Sequence, residues 1–502
     1  MHTIVVGSGS AGAVIAARLT ESGAHEITLV EAGPDYPDAR SLPADLANGR
    51  QNSMRLHDWG YRMKPTAEQT VPFDLPRGRV VGGSSAVNTC IALRPQRYDL
   101  DEWAALGLSE WSFDACLPYL SKLETDLDFG REPHHGDRGP LPIRRHPERE
   151  WTPWQSAFVE VCERLGHARV VDHNAPDAPL GVGPHAMNKV DGRRISVAEA
   201  YLTPTARARV GLHIRARTLV RRALFERGRF AGLEVETSGE VTTLRADRLV
   251  LSAGAIGSLG ILLRSGVGPR DELARLGVDC VVHSPSVGRR LLDHPGVAIL
   301  FTPRMGVSKV SDPLIQTMVR YSSRNADHPG DMQTQAGSNL PLAGITFPCV
   351  TLMSCVGKPK GWGTIRFPSA DPAAKPIVEG RFLNDPADRA RCEDAIEEMW
   401  RIARTPPLRD MAFPLFPQRR TYETKGGIRA HLPFATGSGY HPCGTAPMSA
   451  GSIEDGAVDG RGKLRGVEGV WVADASIMPT VPSSNTNLTA ILIGERAAEW
   501  LA

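Results

Sequence analysis

The chain has 502 residues, too many for one hydrophobic core, so its length predicts two domains. Lysine and arginine (58) nearly balance aspartate and glutamate (56), which argues against nucleic acid or an acidic membrane surface as a partner. No apolar run reaches the span of a bilayer, and an apolar run starts within three residues of Met1, without room for a signal sequence, so we expect a cytoplasmic protein.

The first predicted element is a strand that turns directly into a helix. Residues 3–6 are apolar and β-branched, and Gly7, Gly9 and Gly12 follow as G-x-G-x-x-G at the start of a small-residue helix over 11–21. A second apolar run, residues 27–30, ends at Glu31. The glycines admit a tight turn and a close approach to a pyrophosphate, and the helix N-terminus attracts that anion. The acidic Glu31 can accept hydrogen bonds from a ribose, which favours FAD or NAD over NADP.

A second glycine-rich segment covers residues 77–90, with the sequence RGRVVGGSSAVNTC. Gly82, Gly83 and Ser84 allow a close backbone approach and offer N–H groups and a hydroxyl to a phosphate or a flavin edge. Taken alone, this segment could equally be an ordinary turn.

Three further segments complete a pattern that extends along the whole chain. They are residues 252–269 (SAGAIGSLGILLRSGVGP), residues 287–295 (VGRRLLDHP) and a tail with HPCGT at 441–445, VADASIMP at 472–479 and NTN at 485–487. With residues 77–90, they resemble in order the signatures of the glucose-methanol-choline (GMC) oxidoreductases, FAD enzymes that oxidise alcohols. The second of these segments departs from the family pattern at Arg290, where the family has asparagine.

The resemblance implies an α/β fold in which a Rossmann-like FAD-binding domain is interleaved with an α+β substrate-binding domain. The FAD-binding domain would comprise residues 1–110, 205–300 and 460–502, and the substrate-binding domain residues 111–204 and 301–459. Apolar runs at 249–251 and 470–473 predict two further strands of the first domain. In the second domain, Asp385 and Pro386 predict the start of a helix.

The resemblance also implies which residues hold FAD. Asn88 and Thr89 would lie near the flavin ring, Val220 near the adenine, and the backbone of Asp474 near the pyrophosphate or ribityl chain. Val87 stands where some members carry a histidine that binds FAD covalently, so we expect non-covalent FAD. The full predicted set is Gly7, Gly9, Ser10, Gly12, Glu31, Gly82, Gly83, Ser84, Asn88, Thr89, Val220, Asp474, Asn485 and Thr486.

Alcohol oxidation by a flavin requires a base that removes the hydroxyl proton while a hydride passes to flavin N5, and imidazole has the side-chain pKa nearest neutrality. The resemblance assigns the base to His441 and its hydrogen-bonding partner to Asn485, whose amide cannot act as a base. These two residues and Tyr440 are the predicted substrate contacts. Asn487 would share a face with Asn485 only in an extended segment. Cys443 lacks a dedicated base, and none of the eight cysteines has paired spacing, so we predict a packed thiol and no metal site.

The expected reaction is oxidation of a neutral primary alcohol, of the aryl, furan or a similar type, to the aldehyde or acid, with aldehyde hydrates as a second substrate. Molecular oxygen or another acceptor would take the electrons. Choline would require an aromatic cage and a carboxylate, and residues 301–355 contain no such cluster. The alternatives are a choline-type dehydrogenase or oxidase, a hydroxynitrile-type lyase that keeps FAD as a structural group, and a non-catalytic flavin-binding protein, which the presence of His441 and Asn485 disfavours.

Overall fold

The computed structural model describes residues 1–53, 55–342 and 345–502. Its helices are α1 (Gly12–Leu19), α2 (Ala44–Ala47), α3 (Arg97–Ala105), α4 (Phe113–Lys122), α5 (Pro153–Arg164), α6 (Val197–Tyr201), α7 (Pro204–Arg207), α8 (Gly254–Arg264), α9 (Arg270–Leu276), α10 (Pro386–Ala403), α11 (Leu408–Met411), α12 (Lys425–Ala435) and α13 (Thr486–Leu501). Short 3₁₀ helices lie at Ala39–Ser41, Gly83–Ala86, Ser109–Trp111, Glu148–Glu150, Arg419–Thr421 and Ala475–Ile477. Within these described ranges, no helix is long and apolar enough to cross a membrane.

The strands are β1 (His2–Val6), β2 (Glu26–Val30), β3 (Arg62–Lys64), β4 (Phe73–Asp74), β5 (Glu124–Asp126), β6 (Leu141–Arg145), β7 (Ala168–Arg169), β8 (Gly181–Pro184), β9 (Ala186–Met187), β10 (Lys189–Val190), β11 (Arg193–Arg194), β12 (Leu212–Arg215), β13 (Thr218–Glu226), β14 (Arg229–Thr237), β15 (Glu240–Leu244), β16 (Arg248–Leu251), β17 (Val267–Gly268), β18 (Val282–His283), β19 (Pro295–Pro303), β20 (Ile315–Tyr321), β21 (Met332–Gly337), β22 (Leu340–Leu342), β23 (Ile345–Phe347), β24 (Val350–Val356), β25 (Thr364–Arg366), β26 (Ile377–Glu379), β27 (Ala412–Phe416), β28 (Thr436–Ser438) and β29 (Val470–Val472).

A five-stranded parallel sheet forms the first layer, in the order β12-β2-β1-β16-β29. The apolar residues of β1 are fully buried because strands cover both of its edges and helices pack on the sheet. The predicted strand, turn and helix are present, and the α/β prediction is confirmed. Helix α1 ends at Leu19, earlier than predicted, with Thr20 at its C-cap.

A second, larger sheet runs in the order β27-β19-β24-β21-β20-β8-β7, with β28 also paired to β19. Its strands are antiparallel except for the β7–β8 pair. Helix α10 packs on β19 and β24. It begins at Pro386 as predicted, because the Asp385 carboxylate accepts the N–H groups of Ala387 and Asp388 and caps the helix.

The sheets bear on the predicted division into domains. All five parallel strands come from the three segments predicted for the FAD-binding domain. Strand β19, which spans the predicted boundary at residue 300, belongs to the large sheet, and the sheet β25-β26-β3-β4 takes strands from both predicted domains. We propose the predicted division with this boundary moved ahead of Pro295.

Candidate active site

A cavity of about 650 Å³ lies between the two main sheets. Residues that follow the carboxyl ends of β1, β2, β16 and β29 form one wall, and residues of β19, β21 and β24 form the other. The carboxyl ends of parallel strands are where α/β sheets bind their ligands. The cavity therefore lies where the sequence predicts the cofactor.

Two glycine-rich loops meet on the first wall. Gly83 has a φ of +52°, and a Cβ added to it would lie 2.7 Å from Cα of Gly9. Gly7 has a φ of +91°, and a Cβ there would lie 2.5 Å from the carbonyl oxygen of Ser252. Only glycine fits at these two positions, so the chain packs closely there, and Gly7, Gly9 and Gly83 line the cavity.

Two of the predicted cofactor residues do not line the cavity. Gly12 lies behind the first loop, where an added Cβ would be 1.9 Å from the carbonyl oxygen of Gly7, so its absence of a side chain lets α1 close onto the turn. Gly82 has a φ of +102°, and its N–H donates to the carbonyl of Ser8 at 3.0 Å. Both glycines hold the loops together from behind.

Glu31 is buried and lines the cavity, but its carboxylate already accepts hydrogen bonds from the neighbouring loops. One oxygen accepts the backbone N–H and the hydroxyl of Ser8 at 3.2 and 2.8 Å, and the other accepts the N–H of Gly33 at 2.8 Å. Burial raises the pKa of Glu31, and these hydrogen bonds act in the opposite direction. The predicted ribose contact would have to use the acceptor capacity that remains.

The remaining predicted cofactor residues line the cavity. They are Ser10, Ser84, Asn88, Thr89, Val220, Asp474, Asn485 and Thr486, together with Gly7, Gly9, Gly83 and Glu31. The Asp474 side chain accepts the hydroxyl of Ser258 at 2.6 Å and the N–H of Gly254 at 2.8 Å, so it ties two cavity loops together.

Asn485 is the N-cap residue of α13, which settles the position of Asn487. Because the chain is helical from Thr486, the two asparagine side chains point in different directions. Oδ1 of Asn487 accepts the hydroxyl of Ser10 at 2.7 Å, whereas its Nδ2 is buried without a hydrogen-bond partner in the described structure.

His441 and Asn485 meet on the cavity wall, with Nε2 of His441 3.0 Å from the Asn485 amide nitrogen. Tyr440 lies at the rim of the cavity with 38 % of its surface exposed. Its backbone carbonyl accepts a hydrogen bond from the Arg77 guanidinium at 2.8 Å. Cys443 is fully buried, and burial raises the pKa of its thiol, in keeping with a packed residue. The three predicted substrate contacts are therefore neighbours.

Two residues that are not among the predicted site residues hold His441. Asp293 accepts the backbone N–H of His441 at 2.9 Å and the hydroxyl of Ser438, and burial raises the pKa of its carboxyl to about 6. His294 places its Nδ1 2.8 Å from Nδ1 of His441. The available signal was the pair Asp293-His294 immediately before an apolar strand. Polar side chains buried in such a place must be hydrogen-bonded or paired.

The environment of His441 keeps its imidazole neutral. Burial holds its pKa well below the usual range, and the neighbouring His294 and the Arg77 guanidinium act in the same direction. A neutral imidazole has one nitrogen lone pair free to accept a proton.

The opposite wall is a regular grid set by strand register. Gly296, Cys355 and Gln333 form one row across β19, β24 and β21, and the next rows are Ala298–Met353–Gln335 and Leu300–Thr351–Gly337. All nine residues line the cavity. This wall is uncharged, and the side-chain amide of Gln333 makes no hydrogen bond to the described residues.

Comparison with known proteins bears on the identity of this site. Two sequence models, both described as GMC oxidoreductase, match residues 1–296 and 359–494. The chain belongs to the GMC oxidoreductase family. The 5-(hydroxymethyl)furfural oxidase of Methylovorus sp. (strain MP688) is 30% identical to this chain, over 99% of this chain and 97% of the relative. The choline oxidase of Arthrobacter globiformis is 32% identical, over 99% of this chain and 93% of the relative.

Solved structures agree with this family assignment. Pyridoxine 4-oxidase from Mesorbium loti superposes with a TM-score of 0.89 at 28% identity, covering 99% of this chain and 98% of the other. A fungal aryl-alcohol oxidase superposes with a TM-score of 0.82 at 20% identity, covering 100% of this chain and 99% of the other. This likeness shows that the two proteins share a fold. The chain is thus a flavin-dependent GMC enzyme of the alcohol oxidase and dehydrogenase class.

The cavity residues fit FAD, the cofactor of GMC oxidoreductases. A Cβ at Gly83 would overlap Gly9, the backbones of Gly7, Gly9 and Gly83 line the cavity, and the buried Nδ2 of Asn487 has no protein partner in the described structure. These features are expected where a long polar group lies against the start of α1.

Proposed function

We propose that the protein oxidises neutral primary alcohols, of the aryl, furan or a similar type, to aldehydes, and aldehyde hydrates to acids, with FAD as cofactor. His441 acts as the base and Asn485 as its hydrogen-bonding partner. The single observation that carries this proposal is the pair formed by Nε2 of His441 and the Asn485 amide, 3.0 Å apart on the cavity wall.

The two side chains have separate tasks. The hydroxyl proton of the alcohol passes to Nε2 of His441, which is neutral because burial lowers the pKa of the ring. The Asn485 amide donates a hydrogen bond to the alcohol oxygen and stabilises the negative charge that develops there. FAD, when bound, supplies the acceptor for the hydride from the carbon. Asp293 holds the backbone of His441, so the base keeps its position during the transfer.

The uncharged wall supports a neutral substrate. The rows of β19, β24 and β21 present small, aliphatic, sulfur-containing and amide side chains to the cavity and no carboxylate. At the rim, Asp74 is exposed and lies 3.5 Å from the Arg62 guanidinium. Arg79 covers the face of Trp59 at 4.9 Å, so this ring already has a cation over it. The nine described residues of these rows include no carboxylate and no aromatic ring that could hold a quaternary ammonium group, which disfavours the choline-type alternative.

We also propose that FAD is bound non-covalently and that molecular oxygen or another acceptor reoxidises it. Val87 is buried on the cavity wall and has no atom able to form a bond to the cofactor. The relatives named as oxidases support oxygen as an acceptor.

An anaerobic titration of the purified protein tests this function. Benzyl-type and furan-type primary alcohols should bleach the flavin absorption band, and choline should do so weakly or not at all. Air admitted afterwards should restore the band if oxygen is the acceptor. A flavin that stays oxidised with every alcohol, in a protein that cleaves a cyanohydrin, would overturn the proposal in favour of the lyase.

A further inference from the structure

We propose that His294 is a positioning residue that fixes the tautomer of His441, so that the lone pair of His441 Nε2 faces the cavity. This inference rests on the proposed role of His441 as the base. It concerns a contact between residues 147 positions apart in the chain.

The hydrogen-bond pattern determines where the protons are, starting at Pro482. Nε2 of His294 lies 2.9 Å from the carbonyl oxygen of Pro482, which can only accept a hydrogen bond. Nε2 of His294 must therefore carry the proton. In a neutral imidazole the other nitrogen then has the lone pair, so Nδ1 of His294 is an acceptor.

The contact between the two rings then fixes the position of the proton on the base. Nδ1 of His441 lies 2.8 Å from Nδ1 of His294, and one of these two atoms must donate. Because Nδ1 of His294 is the acceptor, Nδ1 of His441 carries the proton and its Nε2 has the lone pair. The Asn485 amide then donates to this Nε2 at 3.0 Å. The chain of hydrogen bonds from Pro482 to Asn485 is consistent in only this sense while both rings are neutral.

The surroundings keep both rings neutral. Burial is the main cause that lowers the pKa of His294 to about 4, with Lys358 acting in the same direction. Burial, His294 and Arg77 hold the pKa of His441 well below its usual range. A proton on Nδ1 of His294 would place two N–H groups against each other across 2.8 Å.

This arrangement prepares the proposed proton transfer. When an alcohol hydroxyl gives its proton to His441 Nε2, the O–H bond breaks, a new N–H bond forms and the ring becomes an imidazolium. Its Nδ1–H still donates to His294, and the Asn485 amide hydrogen that faced Nε2 donates to the alcohol oxygen instead. With the opposite tautomer, Nε2 would present a hydrogen to the substrate and could not act as a base.

The alternative is that His294 acts only by holding the chain at Pro482 through its hydrogen bond to that carbonyl. Two substitutions separate these two roles. An asparagine amide reaches about as far from the backbone as imidazole Nδ1, and a glutamine amide about as far as Nε2. His294→Asn can therefore still accept the hydrogen of His441 Nδ1 but not donate to Pro482. His294→Gln can still donate to Pro482 but places a methylene group against His441.

The test is the rate of anaerobic flavin reduction by one alcohol in the FAD-loaded enzyme and both variants. We expect His294→Asn to stay within a few-fold of the parent and His294→Gln to lose about 10- to 100-fold, by analogy with the removal of a group that orients a metal-binding imidazole. The reverse order, or equal rates in both variants, would overturn the positioning role.

Nitrogen NMR of the oxidised holoenzyme with ring-labelled histidine provides a second readout, with signals assigned by loss in His441→Gln and His294→Asn. We expect His441 to be protonated on Nδ1 and His294 on Nε2, and the opposite tautomer of His441 would overturn the inference. Failure of the underlying function is separate, because His441→Ala would then reduce its flavin at the parent rate whatever the tautomer.

Discussion

At the scale of single residues, the environment of His441 determines its pH behaviour. Protonated His441 cannot accept the hydroxyl proton, so the rate of flavin reduction should rise with pH until the ring is neutral and then stay level. Since burial, His294 and Arg77 lower its pKa, this rise should lie below the ordinary imidazole value of about 6.5. Stopped-flow reduction across a pH series measures it, and a rise centred above that value would show that the base is not in this environment.

The amide of Gln333 gives a second prediction at this scale. It lies on the cavity wall in the row with Cys355 and Gly296, and Gly296 is two residues from His294. Gln333→Leu should slow oxidation of a furan alcohol with a formyl group opposite its hydroxymethyl group by about 3- to 10-fold, the effect of one lost hydrogen bond. The matched alcohol with a methyl group there is the control. Equal losses of kcat/KM for both alcohols would exclude a specific contact.

At the scale of elements, the two glycine-rich loops form one cofactor cradle. A side chain at Gly83 would press against Gly9 at 2.7 Å, so Gly83→Ala should force the loops apart and weaken FAD retention roughly 10- to 100-fold. Gly228→Ala is the matched control, because Gly228 also has a positive φ, +75°, but has nothing within 4 Å of an added Cβ. It should cost stability, about 1 to 2 kcal/mol, and keep its FAD. The ratio of flavin to protein absorbance compares them, and equal ratios would mean that the contact does not shape the site.

At the scale of the whole molecule, sequence patterns predicted what is local in the chain. The turn after β1, Asp385 at the start of α10 and the order of the motifs each depend on neighbouring residues, so they could be read directly. The meeting of His294 with His441 could not, because it depends on how β19 and the chain after β28 are brought together. The uncharged wall was equally hidden, since Gln333, Cys355 and Gly296 become neighbours only through strand register.

The mode of cofactor attachment is also a property of the assembled molecule. With Val87 on the cavity wall, acid precipitation of the protein should release all of its FAD into the supernatant. Yellow colour that stays with the protein pellet would show a covalent bond, and peptide mapping would then identify the residue.

The most direct test of the account is the rate of anaerobic flavin reduction in His441→Ala, measured with an alcohol that reduces the parent enzyme. The variant should bind FAD as the parent does, because the predicted cofactor contacts lie on other residues, and it should reduce its flavin about 10²- to 10⁴-fold more slowly because the base is gone. A fully loaded variant that is reduced at the parent rate would contradict the assignment of His441 as the base.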